Sequence, residues 1–407
     1  MRTLLAREGR DASRRVARSR GSTPYRSKAA LVVALVSLAG AVLYPVSSSG
    51  ASAQPTFLGP LLSRAETPTT SWGRDGGFSL PLPNGKDFWI FGATPRYQFK
   101  NGAWTLTGFI QGSSAAQRSY TPGKPLDGPL DEVWAGHATS PTNSPIQFIP
   151  APQLYLPDGT GHTCTKANGG SKVEAVRWVS GAALMPDRTN ILIPYTEVCV
   201  VNENVYRPEG WGFTEFNFKT NKFTIRPYTV FPATPNGASI SSSQFFGSPI
   251  VANGQVTFFS WACCGQGSGV YTTTLDATLA ALKNPDSYIP QPVPSLPPTF
   301  NLNVEPPSKT HSQFMMYQLA GNGGQHNIFA ATNPTGPWSQ VASGQLPWCG
   351  NSPLPCNSFA LHPELSPAGR LIVSYHLPGY GPGVATQHPY PHLPLRHVVL
   401  ASIPCNC

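Results

Sequence analysis

The stretch Gly76-Gly77-Phe78-Ser79-Leu80-Pro81-Leu82-Pro83-Asn84-Gly85-Lys86-Asp87-Phe88-Trp89-Ile90-Phe91-Gly92 sets two apolar runs around an Asn-Gly pair. Asn and Gly tolerate the positive φ angles of a tight turn, so the pattern predicts a β-hairpin. Four further stretches repeat it. Ala175–Leu184 is followed by Met185-Pro186-Asp187-Arg188 and Ile191–Tyr195, and Gly247–Val251 by Ala252-Asn253-Gly254 and Val256–Trp261. Gln313–Tyr317 precedes Gly321–Gly324 and Ile328–Thr332. Ser358–Leu365 precedes Ser366–Gly369, Leu371–Tyr375 and the closing run His397–Ala401. Five evenly spread hairpin units predict an all-β chain, a five-bladed β-propeller over 71–407, rather than a pair of β-sandwich domains. The Pro-rich connections Lys283–Ser308 and Leu377–Pro394 are expected to be surface loops, and 54–70 a lead-in. Only Thr274–Lys283 has helical spacing.

Composition agrees. The 407 residues include 39 Gly and 44 Pro, and only 12% are charged. Many turns and few Glu, Lys or Ala suit short strands rather than helices.

The N-terminus follows a different grammar. Residues 1–28 hold eight Arg and Lys28 against Glu8 and Asp11, a net +7 of the chain's +9. The uncharged run Ala29–Val46 comes next, then Ala51-Ser52-Ala53. This order predicts a secretory signal peptide over 1–53, cut after Ala53, and hence a secreted or cell-envelope protein. Left uncut, the apolar run is long enough to serve as a membrane anchor. The remainder is nearly neutral, so the basicity is no argument for nucleic acid. The eight Cys, Cys164, Cys199, Cys263, Cys264, Cys349, Cys356, Cys405 and Cys407, read as disulfides in an oxidising compartment. Of 105 possible connectivities, closeness in the chain favours Cys164–Cys199 and Cys349–Cys356.

In a propeller the first strand of each blade lines the central channel, so chemistry is sought where the five units begin. Asp75, Glu174 and Glu364 are the candidate catalytic acids, because splitting a glycosidic bond needs one protonated carboxyl and a second acting as base or nucleophile. Trp72, Arg74, Trp134, His137, Arg177, His311 and His362 are the candidate substrate-binding residues. No metal or cofactor is expected, since Cys and His lack ligand spacing. The expected partner is a polysaccharide or oligosaccharide, and the expected state a monomer.

Trp72-Gly73-Arg74-Asp75-Gly76-Gly77-Phe78-Ser79, with Leu82–Thr94, resembles the opening blade of a large bacterial group of five-bladed propellers, domain of unknown function 4185. Ala331–Trp338 and His362–Tyr375 resemble its later blades and those of related glycosidase propellers. Some members are endo-D-arabinanases acting on mycobacterial cell-wall arabinan, so the resemblance implies a glycoside hydrolase for arabinan-type polysaccharide. It also implies an acidic pair, and there the sequence departs. Phe91-Gly92-Ala93-Thr94 stands where the group has Phe-Gly-Asp-Thr, so Asp75 lacks its usual partner and a non-catalytic glycan-binding propeller is the alternative.

Overall fold

The computed structural model describes residues 54–136, 144–150, 173–201, 205–230, 244–262, 270–293, 296, 301–319, 323–349, 356–377, 397–405 and 407. They are almost wholly β, with one short helix, Leu279–Lys283, capped by Thr278. The basic segment, the apolar run 29–46, the Ala53 cleavage site, Cys164, Cys263, Cys264, His137 and the 378–396 connection lie outside them.

Five antiparallel sheets succeed one another along the chain. The first joins Phe78–Pro81, Lys86–Phe91, Ser114–Ser119 and Asp131–Glu132. In the second, Val173–Val179 and Ala183–Leu184 both pair with Asn190–Val201, followed by Val205–Asn217 and Lys222–Val230. The third pairs Gln244–Phe246 and Ile250–Ala252 with Gln255–Ala262, then adds Tyr271–Asp276 and Gln291–Pro292. The fourth is a meander from Asn301–Glu305 through Phe314–Leu319 and Gln325–Ala331 to Ser339–Gln345. The fifth orders Asn357–Leu361, Arg370–Leu377, His397–Pro404 and finally Thr56–Pro60. Thr70–Trp72, Thr94–Lys100 and Ala103–Ile110 form a further, three-stranded sheet.

Turn chemistry fixes the registers. Asn253 and Gly254 take φ of 52° and 73°, the mirror-image turn that matches strand twist, and leave Ala252 opposite Gln255. Asn101-Gly102 does the same between Lys100 and Ala103.

Successive residues of a strand point to opposite faces, and in Lys86–Phe91 both faces are buried. Phe88 and Ile90 pack with Val179, Ile191, Ile193 and Phe216 of the second sheet. Their neighbours Trp89 and Phe91 pack with Leu365, Ile372 and Val398 on the fifth-sheet side. Equivalent clusters join the second sheet to the third, the third to the fourth and the fourth to the fifth. An apolar layer between every successive pair, the last returning to the first, is the arrangement of a β-propeller.

Three expectations change. Thr56–Pro60, placed in a lead-in, is the outer strand of the fifth sheet, with Thr56 opposite Ser402. Lys283–Ser308 is no plain surface loop, for it carries Gln291–Pro292 and Asn301–Glu305 and buries Leu302 and Val304. The hairpin at 313–332 therefore forms the second and third strands of its sheet, and Asn301–Glu305 the first. Proline density hid the alternation of Leu302-Asn303-Val304-Glu305, although a proline-free run of this kind can form a strand. The Cys349–Cys356 disulfide is present, and Cys405 pairs with Cys407. Cys199 is also disulfide-bonded, and its expected partner lies outside the described residues.

Candidate functional site where the first strands meet

The first strands of adjoining sheets touch: Phe78–Pro81 lies against Asn357–Leu361, which lies against Asn301–Glu305. Polar side chains lace them together. Asn303 donates from Nδ2 to Ser248 Oγ at 2.8 Å, and its Oδ1 accepts from the Leu361 amide at 3.0 Å. One buried side chain thus ties three sheets. Closer to the second sheet, a Cβ on Gly181 would sit 2.4 Å from the Ser248 backbone, so only glycine permits that approach.

Around this lacing are two groups of titratable residues. The inner group centres on Ser79, whose Oγ donates to Glu364 Oε1 and lies 2.5 Å from His362 Nδ1. With its single proton given to the carboxyl, Ser79 accepts from Nδ1–H, which fixes the imidazole tautomer. The His362 ring lies against Trp89 at 4.6 Å between centroids, tilted by 35°, and is fully buried. Burial, with the Arg118 charge adding to it, lowers the His362 pKa to about 3, so the ring is neutral. Burial raises that of Glu364 to about 7 against the opposing Ser79 hydrogen bond. Glu305, at the end of its strand, is also buried. Desolvation and then the Glu364 charge push its pKa well above the usual carboxyl range, with Ser248 and Asn303 as hydrogen-bond partners. A carboxyl that is desolvated beside another carboxylate stays protonated to higher pH.

The outer group is built on Asp75. Gly76 and Gly77, at φ 80° and 145°, turn the chain from Asp75 into Phe78–Pro81, and a Cβ on Gly77 would stand 3.1 Å from Val398 and 3.2 Å from Ser374. The backbone of Asp75 is clamped to Ala93 and Gly92 by bonds of 2.8 and 2.6 Å. Its Oδ1 accepts from Ser358 Oγ and stands 3.7 Å from His376 Nδ1, with 38% of the side chain exposed. Ser358 reaches it from an irregularity between Asn357 and Ala360, where its φ is 58°. A bulge of this kind re-aims a side chain out of the ladder. Asp75 and Ser79 are four positions apart in sequence, with the Gly76-Gly77 turn between them.

The other candidates are placed as follows. Arg74 is buried, pairs with Glu132 and lies over the Phe91 ring at 4.3 Å. Trp72 is buried with the Arg96 guanidinium 5.5 Å from its ring centre. Arg177 stands 3.7 Å from Glu197 and donates to the Pro150 carbonyl, while Glu174 is half-buried opposite Val200. Trp134 donates to the Ser144 carbonyl at 3.0 Å. His311 lies 2.9 Å from Thr310 Oγ1, and Thr310 bonds the Ser366 carbonyl. Of the predicted site residues, then, the structure brings Glu364 and His362 together and sets Asp75 in a neighbouring group.

Ser79, Glu305, Ser358 and His376 were missed as site residues. For Glu305 the period-2 pattern was the available sign; the aim of Ser358 depends on a bulge that no local motif announces.

No protein-family model and no curated protein matches the chain. Among solved structures it is similar to glycoside hydrolases. One is a family 117 glycoside hydrolase of the marine bacterium Zobellia galactanivorans, at 10% identity and TM-score 0.49, covering 86% of this chain and 90% of that one. Another is the catalytic domain of the Coprinopsis cinerea GH62 α-L-arabinofuranosidase, at 11% identity and TM-score 0.46, covering 88% and 99%. A third is the Xanthomonas citri GH43_1 enzyme, at 9% identity and TM-score 0.45, covering 85% and 90%.

Proposed function

We propose that this chain is an exported five-bladed propeller, the five sheets being its blades, that acts on a glycan as a glycoside hydrolase of arabinan-type polysaccharide. The observation that carries the reading is the contrast between two carboxyls on adjoining first-strand regions. Asp75 reaches solvent within a hydrogen-bonded group, whereas Glu364 is enclosed with a pKa near 7. Such a contrast divides the acid and base roles of glycoside hydrolysis. In this reading Glu364 gives its proton to the leaving oxygen and Asp75 serves as base or nucleophile, oriented by Ser358 and His376. Burial, with the Asp87 charge adding to it, keeps Glu364 protonated.

The location of Ala93 supports a second reading, a glycan-binding propeller without turnover. Ala93 is bonded directly to the Asp75 backbone, so the position that would hold a second acid beside Asp75 holds a methyl group. One assay separates the two. The protein is incubated with arabinan, arabinogalactan and an unrelated polysaccharide, and released oligosaccharides and binding are both measured. Products that disappear in Asp75→Asn support hydrolysis; binding without products establishes the second reading, and neither binding nor products rejects both.

A further inference from the structure

A cleft of about 480 Å³ opens at the end of the first sheet opposite Asp75, where its Pro83–Lys86 turn faces the Phe218–Asn221 turn of the second. Asp75 precedes the strand Phe78–Pro81 and this turn follows it, so the two sites lie at opposite ends of that strand. Lys86, Lys219, Asn84, Asn221, Gln117 and Phe218 line the cleft, with no acidic residue among the lining. Neither lysine has a carboxylate partner among the described residues.

We propose that this cleft binds an anionic sugar unit, with Lys86 and Lys219 holding its charged group. The volume lies within the range of small-ligand sites. The amides of Asn84, Gln117 and Asn221 offer donors and acceptors suited to hydroxyls, and Phe218 offers an apolar ring for a sugar face. Both turns are shaped beforehand. Asn84 Oδ1 accepts from the Lys86 amide at 3.2 Å, and Asn217 Oδ1 from the amides of Lys219 and Thr220 at 3.1 and 3.0 Å. The Asn221 carbonyl, at a residue with φ of 55°, accepts from Gly136. The acid on the adjacent turn, Asp187, accepts from the Thr189 and Asn190 amides and from Asn190 Nδ2, bonds that commit it to its own loop. Two ammonium groups with no carboxylate partner among the described residues, carried on turns whose backbones are preformed, attract an anion.

The test is electrophoresis of the protein in native gels containing polygalacturonate, dextran sulfate or neutral dextran. Expected is retardation by polygalacturonate or dextran sulfate and none by dextran, with the polymer that retards more strongly identifying carboxylate or sulfate as the anion. A Lys86→Gln, Lys219→Gln double variant should lose at least about ten-fold in affinity with its thermal midpoint unchanged. Asp75→Asn should be retarded like the parent, which separates this cleft from the glycan site proposed above. Failure of both anionic polymers to retard the protein overturns the proposal. So does equal retardation by dextran, or a double variant that binds as tightly as the parent.

Discussion

The Ser79 hydroxyl lies between His362 Nδ1, at 2.5 Å, and the carboxyl of Glu364, joining the first sheet to the fifth through a single oxygen. Replacing Ser79 with Ala leaves two buried polar groups without their partner. A loss of about 1–3 kcal/mol is expected in urea unfolding. The Glu364 pKa should move further up, because Ser79 is the largest influence holding it down.

Glu364 also sets a pH dependence of stability. Its folded pKa, about 7, exceeds the unfolded value of 4.5, so the folded state holds a proton that the unfolded state has released. Stability from this group therefore falls as pH rises from about 4.5 to about 7. Glu364→Gln removes that decline, and the variant should gain on the parent by up to about 1.4 kcal/mol per pH unit across the window. Parallel curves for parent and variant in unfolding titrations would refute the assignment.

Three buried histidines act in the opposite sense. Burial lowers His362 to about 3 and His326 and His397 to about 4 from the usual 6.5. They are neutral when folded and charged when unfolded below pH 6.5, so the stability they contribute is present above 6.5 and is lost as pH falls toward 4 and 3. His326→Gln should flatten the acid limb of the stability profile measured by circular dichroism.

Asp75 is half exposed, and its removal should cost little stability. Should the protein hydrolyse a glycan, Asp75→Asn is expected to lower turnover by about 10²–10⁴-fold with an unchanged melting curve. A fall in both together would instead mark Asp75 as structural.

Asp87 and Arg118 form a buried pair at 3.3 Å, and Arg118 also donates to the Pro125 and Gly128 carbonyls. Asp87→Ala strands a guanidinium in the interior, with an expected loss of about 3–5 kcal/mol. Chemical denaturation of the variant measures it directly.

Reading these features from sequence succeeds where the determinant is local. Asn84-Gly85 and Asn253-Gly254 announce their hairpins because a two-residue turn demands positive φ whatever surrounds it. Phe88-Trp89-Ile90-Phe91 declares a strand buried on both faces. The site is less legible because its relations are long-range: Ser79 meets His362, and Asp75 meets Ser358, each across 283 positions of sequence. Glu364 was found because it follows a legible hairpin strand. Glu305 was not, since the prolines before it argued for a loop.

Pairing Thr56–Pro60 with His397–Pro404 makes the two ends of the described chain neighbours in one sheet. During synthesis the early strand must wait, its hydrogen-bonding edge open, until His397–Pro404 has been made. Whatever cellular machinery receives the nascent chain handles an unsealed circle, and a nick or truncation at either end is felt by both.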